Sequence, residues 1–187
     1  MSWGAIAIGL ALLIPVPAAG HPHVFVDYSV EVRFGAQGLE AVELLWTFDR
    51  MFSSVVVQSF DRNRDGKLSP DELRALAQDQ AERLKAVGYF LDVRINGEAV
   101  SGISVRDFSA HHGGDQLVYR LIVPLVAPAA GGTLEVAAVD PTIYSWFELA
   151  EPAPVRAQAP PSYAVECKAI KADATRIASV QCTYKRR

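Results

Sequence analysis

Residues 61–72 restrict the local fold more than any other part of the chain. They read DRNRDGKLSPDE and match the loop pattern D-x-[DN]-x-[DN]-G-x5-E without a mismatch. Calcium takes six to eight oxygen ligands, which such a loop supplies from positions one, three, five, seven, nine and twelve. The matching groups here are the side chains of Asp61, Asn63, Asp65, Ser69 and Glu72 and the carbonyl of Lys67. We therefore predict an EF-hand calcium site.

A simpler interpretation covers only the second half of this loop. Ser69 and Glu72 have the spacing of a helix capping box, and Pro70 suits the first helical position. Both interpretations can hold together, but a capping box does not explain the acidic and amide residues that precede Gly66. Basic residues within the loop offset part of its negative charge, so we expect modest affinity. With no second loop, we expect Leu68 to pack on the host sheet and the site to be structural rather than a sensor.

Hydrophobic periodicity places this loop between two helices and the helices between strands. Period-two alternation predicts a hairpin at 24–34 and 42–48, and the helical period appears from Asp49 to the loop and beyond it to Gly88. Further strands are predicted around the Asn96-Gly97 hairpin turn and at 117–123 and 134–138. These elements predict an α+β fold, a mainly antiparallel β-sandwich-like domain with an inserted EF-hand at 49–88.

The chain divides into three regions. Residues 1–20 read as a signal peptide, because an apolar run ends in prolines and small residues; those prolines interrupt the run well short of a membrane span, so we expect no stable membrane insertion. Residues 21–150 form the β-rich domain. Residues 151–187 form a proline-rich connector and a C-terminal hairpin, which we expect the Cys167–Cys182 disulfide to close in the periplasm. A metal site at these cysteines has less support, because neither has a second ligand at metal-binding spacing.

Charge and motifs exclude several functions. The chain has 18 basic and 21 acidic residues, so no basic field would attract nucleic acid. No nucleophile elbow, phosphate loop or zinc-protease signature is present, and we do not predict an enzyme. Asp140-Pro141-Thr142 with Tyr144, Trp146 and Phe147 could form a ligand surface, but we favour a strand-end turn followed by buried aromatic residues.

The four histidines form two groups, His21 with His23 and His111 with His112. After cleavage at Gly20, His21 would offer an amine and an imidazole to nickel, copper or zinc, with His23 as a third ligand. Pro22 excludes the common amino-terminal copper geometry, because it has no N–H to deprotonate. His111 and His112, in a predicted polar loop from Ser109 to Asp115, could join if the fold brings them close. The alternative is that all four are solvated histidines without a common site.

Several short elements together resemble a known bacterial family. They are His21-Pro22-His23 after the export signal, Asp27 in the first strand, Phe48-Asp49 at the helix start, and Asp140-Pro141-Thr142-x-Tyr144. This combination resembles the periplasmic family called domain of unknown function 1007 over His21 to about Ala150, with the proline-rich tail and cysteine hairpin outside it. Membership implies a periplasmic accessory of a nickel/cobalt-type permease in the inner membrane, without an established activity.

These observations lead to two functional hypotheses. The first is an exported calcium-binding protein that acts as a metal-binding accessory of a transition-metal transport system. The alternative is a calcium-stabilised binding or adhesion module without a transition-metal role.

Overall fold

The computed structural model of the protein describes residues 23–173 and 177–187. The predicted signal peptide and His21 lie outside these residues. Helices and strands follow one another in the order β1 (Val24–Gly35), β2 (Gly38–Phe48), α1 (Arg50–Phe60), α2 (Pro70–Ala86), β3 (Leu91–Ile95), β4 (Glu98–Ala99), β5 (Asp107–Gly113), β6 (Gln116–Pro124), β7 (Gly131–Ala138), β8 (Ser145–Leu149), β9 (Val155–Gln158), β10 (Tyr163–Ile170) and β11 (Ser179–Arg186). A short 3-10 turn, Gly88–Phe90, separates α2 from β3.

The first two strands form the predicted antiparallel hairpin. Alternate β1 residues are buried, from Val24 to Phe34, as period-two alternation requires for a strand with one face on the core. β1 pairs with β2 along its length, with Tyr28 opposite Trp46. A second predicted hairpin is also confirmed: Ile95 pairs with Glu98, and Asn96 and Gly97 both have positive φ, as a type I′ turn requires.

Two sheets make up the β structure. Sheet A has the strand order β5-β6-β2-β1-β8, with β9 also paired to β1, and sheet B has the order β10-β11-β7-β3-β4. Most neighbours are antiparallel, but β8 and β9 run parallel to β1. The α+β, mostly β class that the sequence predicted is therefore confirmed, with two parallel pairings that local periodicity does not reveal.

The sheets pack on each other through the inner face of sheet A. The Phe34 ring lies 5.1 Å from that of Tyr184 and 5.5 Å from that of Tyr163, both on sheet B. The Tyr28 hydroxyl donates a 2.8 Å hydrogen bond to the carbonyl of Ala178, just before β11. These contacts define a sandwich with one apolar core.

Helix α1 covers the other end of the same face. Its N-cap is Asp49, whose carboxylate accepts the N–H of Phe52 and also the N–H of Phe25 on β1. The fully buried Ser53 hydroxyl donates to the Asp49 carbonyl and accepts the N–H of Leu117 on β6. These hydrogen bonds connect α1 to the two strands beside β2, so the helix start is held to sheet A.

Helix α2 begins and ends where its sequence signals predict. Ser69 and Glu72 form a reciprocal capping box with Pro70 at the start of the helix, and Gly88 follows the helix with a φ of 62°, a left-handed conformation that glycine adopts without strain. Within residues 23–173 and 177–187, no helix combines the length and apolar character needed to cross a bilayer.

Two segments predicted as irregular contain strands. Residues 109–115 were predicted to be a polar loop, but most of them belong to β5, which pairs with β6 from Asp107 to Gly113. The proline-rich connector contains β9, which pairs with β1. A polar or proline-rich composition does not predict a strand. These strands lie at the margin of the sheet, bury little side-chain surface and form through backbone hydrogen bonds to a neighbouring strand.

The predicted disulfide between Cys167 and Cys182 is confirmed. The two residues lie opposite each other on β10 and β11, and β11 also pairs with β7. Cys182 is buried. The disulfide therefore joins the outer strand β10 of sheet B to a strand that contributes to the core.

Replacing both cysteines by alanine should lower the free energy of unfolding by about 3 kcal/mol, because the cross-link closes a 15-residue separation and limits the unfolded chain. Urea unfolding of the oxidised protein and the variant measures the difference. A reducing agent should destabilise the parent protein and leave the variant unchanged; equal stability of the two oxidised proteins would contradict the prediction.

Candidate functional site

The 61–72 loop connects two helices that are each fixed at the end facing it. Asp61 follows α1 and donates its N–H to the Val57 carbonyl, while Ser69 caps α2. Leu68 is buried in the apolar core. The loop is therefore held at both ends and at one internal side chain.

The carboxylate of Asp61 organises the first half of the loop. Its Oδ1 accepts the N–H groups of Arg64 at 2.6 Å and Asp65 at 3.2 Å, and its Oδ2 accepts that of Gly66 at 2.7 Å. This arrangement needs tight turns, and both Arg64 and Gly66 have positive φ, 62° and 79°. Gly66 has no heavy atom near the place of a Cβ, so the backbone conformation rather than crowding favours glycine there.

Asn63 and Asp65 continue the same pattern. The Asn63 Oδ1 accepts the Asp65 N–H at 3.1 Å, and the Asp65 Oδ1 accepts the Lys67 N–H at 2.9 Å. The Asn63 amide nitrogen donates to the Asp65 Oδ2 at 3.0 Å. The side chains at positions one, three and five thus each accept a hydrogen bond from a loop N–H group, and those of Asn63 and Asp65 also bond to each other.

Glu72 connects the two ends of the loop. Its Oε1 accepts the Arg62 N–H at 2.7 Å, and its Oε2 accepts the N–H and the hydroxyl of Ser69 at 2.9 and 2.8 Å. Its side chain is buried, and the bonds from Ser69, followed by that from Arg62, hold its pKa below the usual value. The group is therefore a carboxylate at neutral pH, as a calcium ligand must be.

The donor set of the loop fits calcium better than a transition metal. Among the residues that the structure describes, no three or more His, Cys, Asp and Glu side chains gather in a cluster able to hold a metal ion, and this holds for Asp61, Asp65 and Glu72 of the loop as well. The loop offers instead a mixture of carboxylate, amide, carbonyl and hydroxyl oxygens, which is the ligand chemistry of calcium. The exposed side chains of Arg62, Arg64 and Lys67 reduce the local negative potential.

The described histidines do not come together. His23 precedes β1, whereas His111 lies on β5, whose register runs through Val118 and Thr47 to Asp27. Three strand spacings and four residues along β1 place His23 and His111 on the order of 20 Å apart. His111 and His112 are successive residues of a strand, so their side chains point to opposite faces. A shared metal site would require His111 or His112 to lie close to the amino-terminal histidines. The fold does not bring them close to His23.

A second candidate site, which the sequence did not predict as a cavity, lies where the helices meet sheet A. It is an apolar cleft of about 580 Å³, a volume typical of small-molecule sites. Its walls include Trp46 and Tyr119 from the sheet, Leu84 and Val87 near the end of α2, and Phe147 from β8. The sequence contains one sign of this cleft, because its alternation places large aromatic residues on one face of β2 and β6. The cleft itself forms only because α2 packs beside that face.

The Asp140 turn forms one rim of this cleft. Asp140 accepts the N–H and hydroxyl of Thr142 at 2.8 and 2.6 Å and the N–H of Ser145 at 2.9 Å, which confirms the predicted strand-end turn. The aromatic residues after it were predicted to be buried, but Tyr144 is 50% and Trp146 42% exposed. β8 is an outer strand with a short pairing to β1, so its residue Trp146 stays in solvent, and Tyr144 lies just before this strand.

The protein is thus an α+β protein in which a helical hairpin closes one end of a β-sandwich. Its two candidate sites are the 61–72 loop and the apolar cleft. The family model described as Protein of unknown function (DUF1007) matches residues 6–183, and the chain belongs to this family. The match reaches past Ala150 and includes the connector and the cysteine hairpin, so the resemblance extends further than the sequence motifs indicated. A comparison with curated proteins finds no match.

The Asp140 turn makes stability depend on pH. Burial by itself raises the pKa of Asp140, but the hydrogen bonds from Thr142 and Ser145 outweigh it and leave the pKa below its ordinary value of 3.8. Because the folded pKa is the lower one, the stabilisation is present above pH 3.8 and is lost as the pH falls through the folded value. Asp140→Asn should cost about 1–3 kcal/mol at neutral pH, and this difference should shrink in acid.

Denaturant unfolding of parent and variant between pH 7 and about pH 3 measures this effect. Glu98→Gln is the control, because Glu98 is an exposed carboxylate outside the turn. A penalty for Asp140→Asn that stays constant over the whole pH range would contradict the assignment.

Proposed function

We propose that the protein is an exported calcium-binding protein in which an EF-hand-type helix-loop-helix, bound to calcium at residues 61–72, is fixed to a β-sandwich. The ligands would be Asp61, Asn63, Asp65, the Lys67 carbonyl, Ser69 and Glu72. The observation that carries the proposal is the hydrogen-bond set in which the Asp61 carboxylate accepts three loop N–H groups. Those bonds fix the loop backbone in a tight turn around the Asp61 carboxylate.

The surroundings of the loop support a structural role for the cation. Leu68 is buried in the core, and Glu72 already joins the loop ends through Arg62 and Ser69. A bound cation would supply positive charge to carboxylates that otherwise repel each other. The protein would then gain stability by mass action, because calcium binds the folded loop and not the unfolded chain.

Export to the periplasm is part of the proposal. The apolar segment before His21 supports it, as does the Cys167–Cys182 disulfide, because disulfides persist in oxidising compartments. In such a compartment a site of modest affinity can remain filled, since extracellular calcium modules operate at Kd values of about 10⁻⁴–10⁻³ M.

Calcium titration by isothermal calorimetry and thermal unfolding tests the proposal. At about one hundred times Kd, calcium should raise the free energy of unfolding by about 2.7 kcal/mol. Glu72→Gln should abolish the heat of binding and the calcium-dependent stabilisation. Glu82→Gln is the matched control, because Glu82 is an exposed residue of the same helix outside the loop and should leave both unchanged. No heat and no stabilisation at millimolar calcium would refute the proposal.

A second candidate function is a metal-binding accessory of a transition-metal permease. The observation that favours it is the position of His23, which is exposed at the start of β1 and packs 5.1 Å from the Tyr144 ring. The amine and imidazole of His21 would complete a small chelating site for nickel, copper or zinc beside it.

Titration of each metal into the processed protein separates this function from calcium binding alone. His21→Ala should remove nickel or copper binding, whereas the double variant His111→Ala, His112→Ala should retain it, because β5 lies three strands away from β1. Absence of transition-metal binding by the processed parent protein would leave calcium binding as the metal function.

A further inference from the structure

The outer face of sheet A, which points away from sheet B, carries paired charges at one end. Arg33 and Arg120 both bond to the Glu43 carboxylate, each at 2.6 Å, and Arg120 also bonds to Asp107 at 3.1 Å. Glu31 joins the network through Arg33 at 2.9 Å. Each carboxylate of this network is therefore neutralised by an arginine of the protein itself.

The other end of the same face carries two carboxylates without a cationic partner. Asp27 on β1 and Glu148 on β8 are directly opposite in register, and both are exposed. None of the ion pairs among residues 23–173 and 177–187 includes either of them. Partial burial, followed by the charge of Glu148, raises the pKa of Asp27, because like charges on neighbouring strands repel each other. This end of the face therefore has uncompensated negative charge.

Two exposed aromatic residues lie one step along the strands from these carboxylates. Phe25 and Trp146 are opposite in register and are 51% and 42% exposed. Side chains two residues apart on a strand share a face, so both rings lie on the same side of the sheet as the carboxylates. The Trp146 indole N–H donates a 2.8 Å hydrogen bond to the Glu148 carboxylate. Phe25, Asp27, Trp146 and Glu148 together form what we call the β1–β8 patch.

The composition of the β1–β8 patch determines which partner fits it. Aromatic ring faces attract cations, and carboxylates form their strongest hydrogen bonds with cationic donors. An arginine or lysine side chain meets both requirements, because its apolar stem covers a ring while its charged end reaches a carboxylate. An anionic partner would meet uncompensated negative charge and be repelled. Charge complementarity therefore favours a basic partner.

The position of the patch favours a chain segment over a small cation. The patch extends along each strand for about 7 Å, and β8 is the outer strand of sheet A, with β1 as its one neighbour among the described strands. Tyr144 and Ala150 make backbone hydrogen bonds to β1. Alternate residues of a parallel strand bond to the same neighbour, so Phe147, three residues from each of them, directs its N–H and C=O away from β1. An extended segment could bind there by adding a strand to the sheet.

We infer that the β1–β8 patch binds an extended basic segment of a partner protein, whose arginine or lysine side chains pack on the two aromatic rings and pair with the two carboxylates. The inference goes beyond calcium binding and does not depend on it. It accounts for the contrast between the two ends of one sheet face. Arginines of the chain neutralise one end, and cationic side chains of the partner neutralise the other.

Fluorescence anisotropy of labelled peptides tests the inference. The probe is a capped hexapeptide of alternating threonine and arginine. One control peptide has citrulline, an uncharged analogue, in place of arginine, and another has glutamate. The arginine peptide should bind about tenfold more tightly than either control, or better, because it alone carries cations. Equal affinity for the arginine and citrulline peptides, tighter binding of the glutamate peptide, or no binding of the arginine peptide at about 1 mM protein would overturn the inference.

Two further measurements identify the occupant. Arginine amide should displace the labelled arginine peptide only at concentrations about tenfold or more above those of the unlabelled peptide, because it lacks the extended chain. Displacement at equal concentrations would make the occupant a small cation and overturn the segment. Self-association of the protein that the arginine peptide reverses would make the occupant a second copy and also overturn it.

A charge-matched pair of variants locates the binding site. The double variant Asp27→Asn, Glu148→Gln should weaken binding of the arginine peptide about tenfold or more. The control is the double variant Glu82→Gln, Glu98→Gln, which removes the same charge from exposed positions outside the patch and should retain binding. Equal losses in the two double variants would show attraction by net charge alone and overturn the inference.

The aromatic residues are tested separately. Phe25→Ala and Trp146→Ala should each weaken binding about threefold or more. Val126→Ala is the control, because Val126 is an apolar residue that is 92% exposed outside the patch. Unchanged affinity in both aromatic variants would place the peptide elsewhere and overturn the inference. All these variants lie outside the 61–72 loop and should keep the stabilisation by calcium, so failure of the patch and failure of the calcium site are distinguishable.

Discussion

The structure depends on how the long inner face of sheet A is kept from water. β1 and β2 bury large side chains along their whole length, and sheet B covers only part of them. Phe34 at one end packs on Tyr163 and Tyr184 of sheet B, whereas Phe48 at the other packs on Phe52 of α1. Apolar burial is the dominant favourable term in folding, so the helical hairpin completes the core of the sandwich.

The polar contacts of the hairpin follow from this requirement. Ser53 has its hydroxyl in the core, where it joins α1 to β6, and Asp49 caps α1 while accepting an N–H from β1. The capping box and Glu72 set the start of α2 and join it to the loop. The same loop that supports the proposed calcium function thus determines where α2 lies. Because α2 forms a wall of the apolar cleft, the two candidate sites share one structural element.

Most local structure was predictable because its cause is local. The alternation of β1, the Asn96-Gly97 turn, the Asp49 cap and the Ser69–Glu72 box each depend on residues that are neighbours in sequence. The strands β5 and β9 were not predictable in this way. Their sequences are polar or rich in proline and alanine, and they become strands because β6 and β1 offer backbone hydrogen bonds beside them. The exposure of Trp146 also depends on strand order, since β8 lies at the margin of sheet A.

For the sites, residue spacing was enough to predict the loop at 61–72 and the cysteine pair. A loop of twelve residues contains all the proposed calcium ligands, and Cys167 and Cys182 lie on one hairpin, so short-range spacing suffices. The other features of the sites depend on how distant segments pack. It separated His23 from His111 by placing them on strands at different positions in sheet A, and it placed Trp46 beside Tyr119 from segments 73 residues apart in the chain. Contacts between distant segments depend on strand order and register, which local periodicity does not encode.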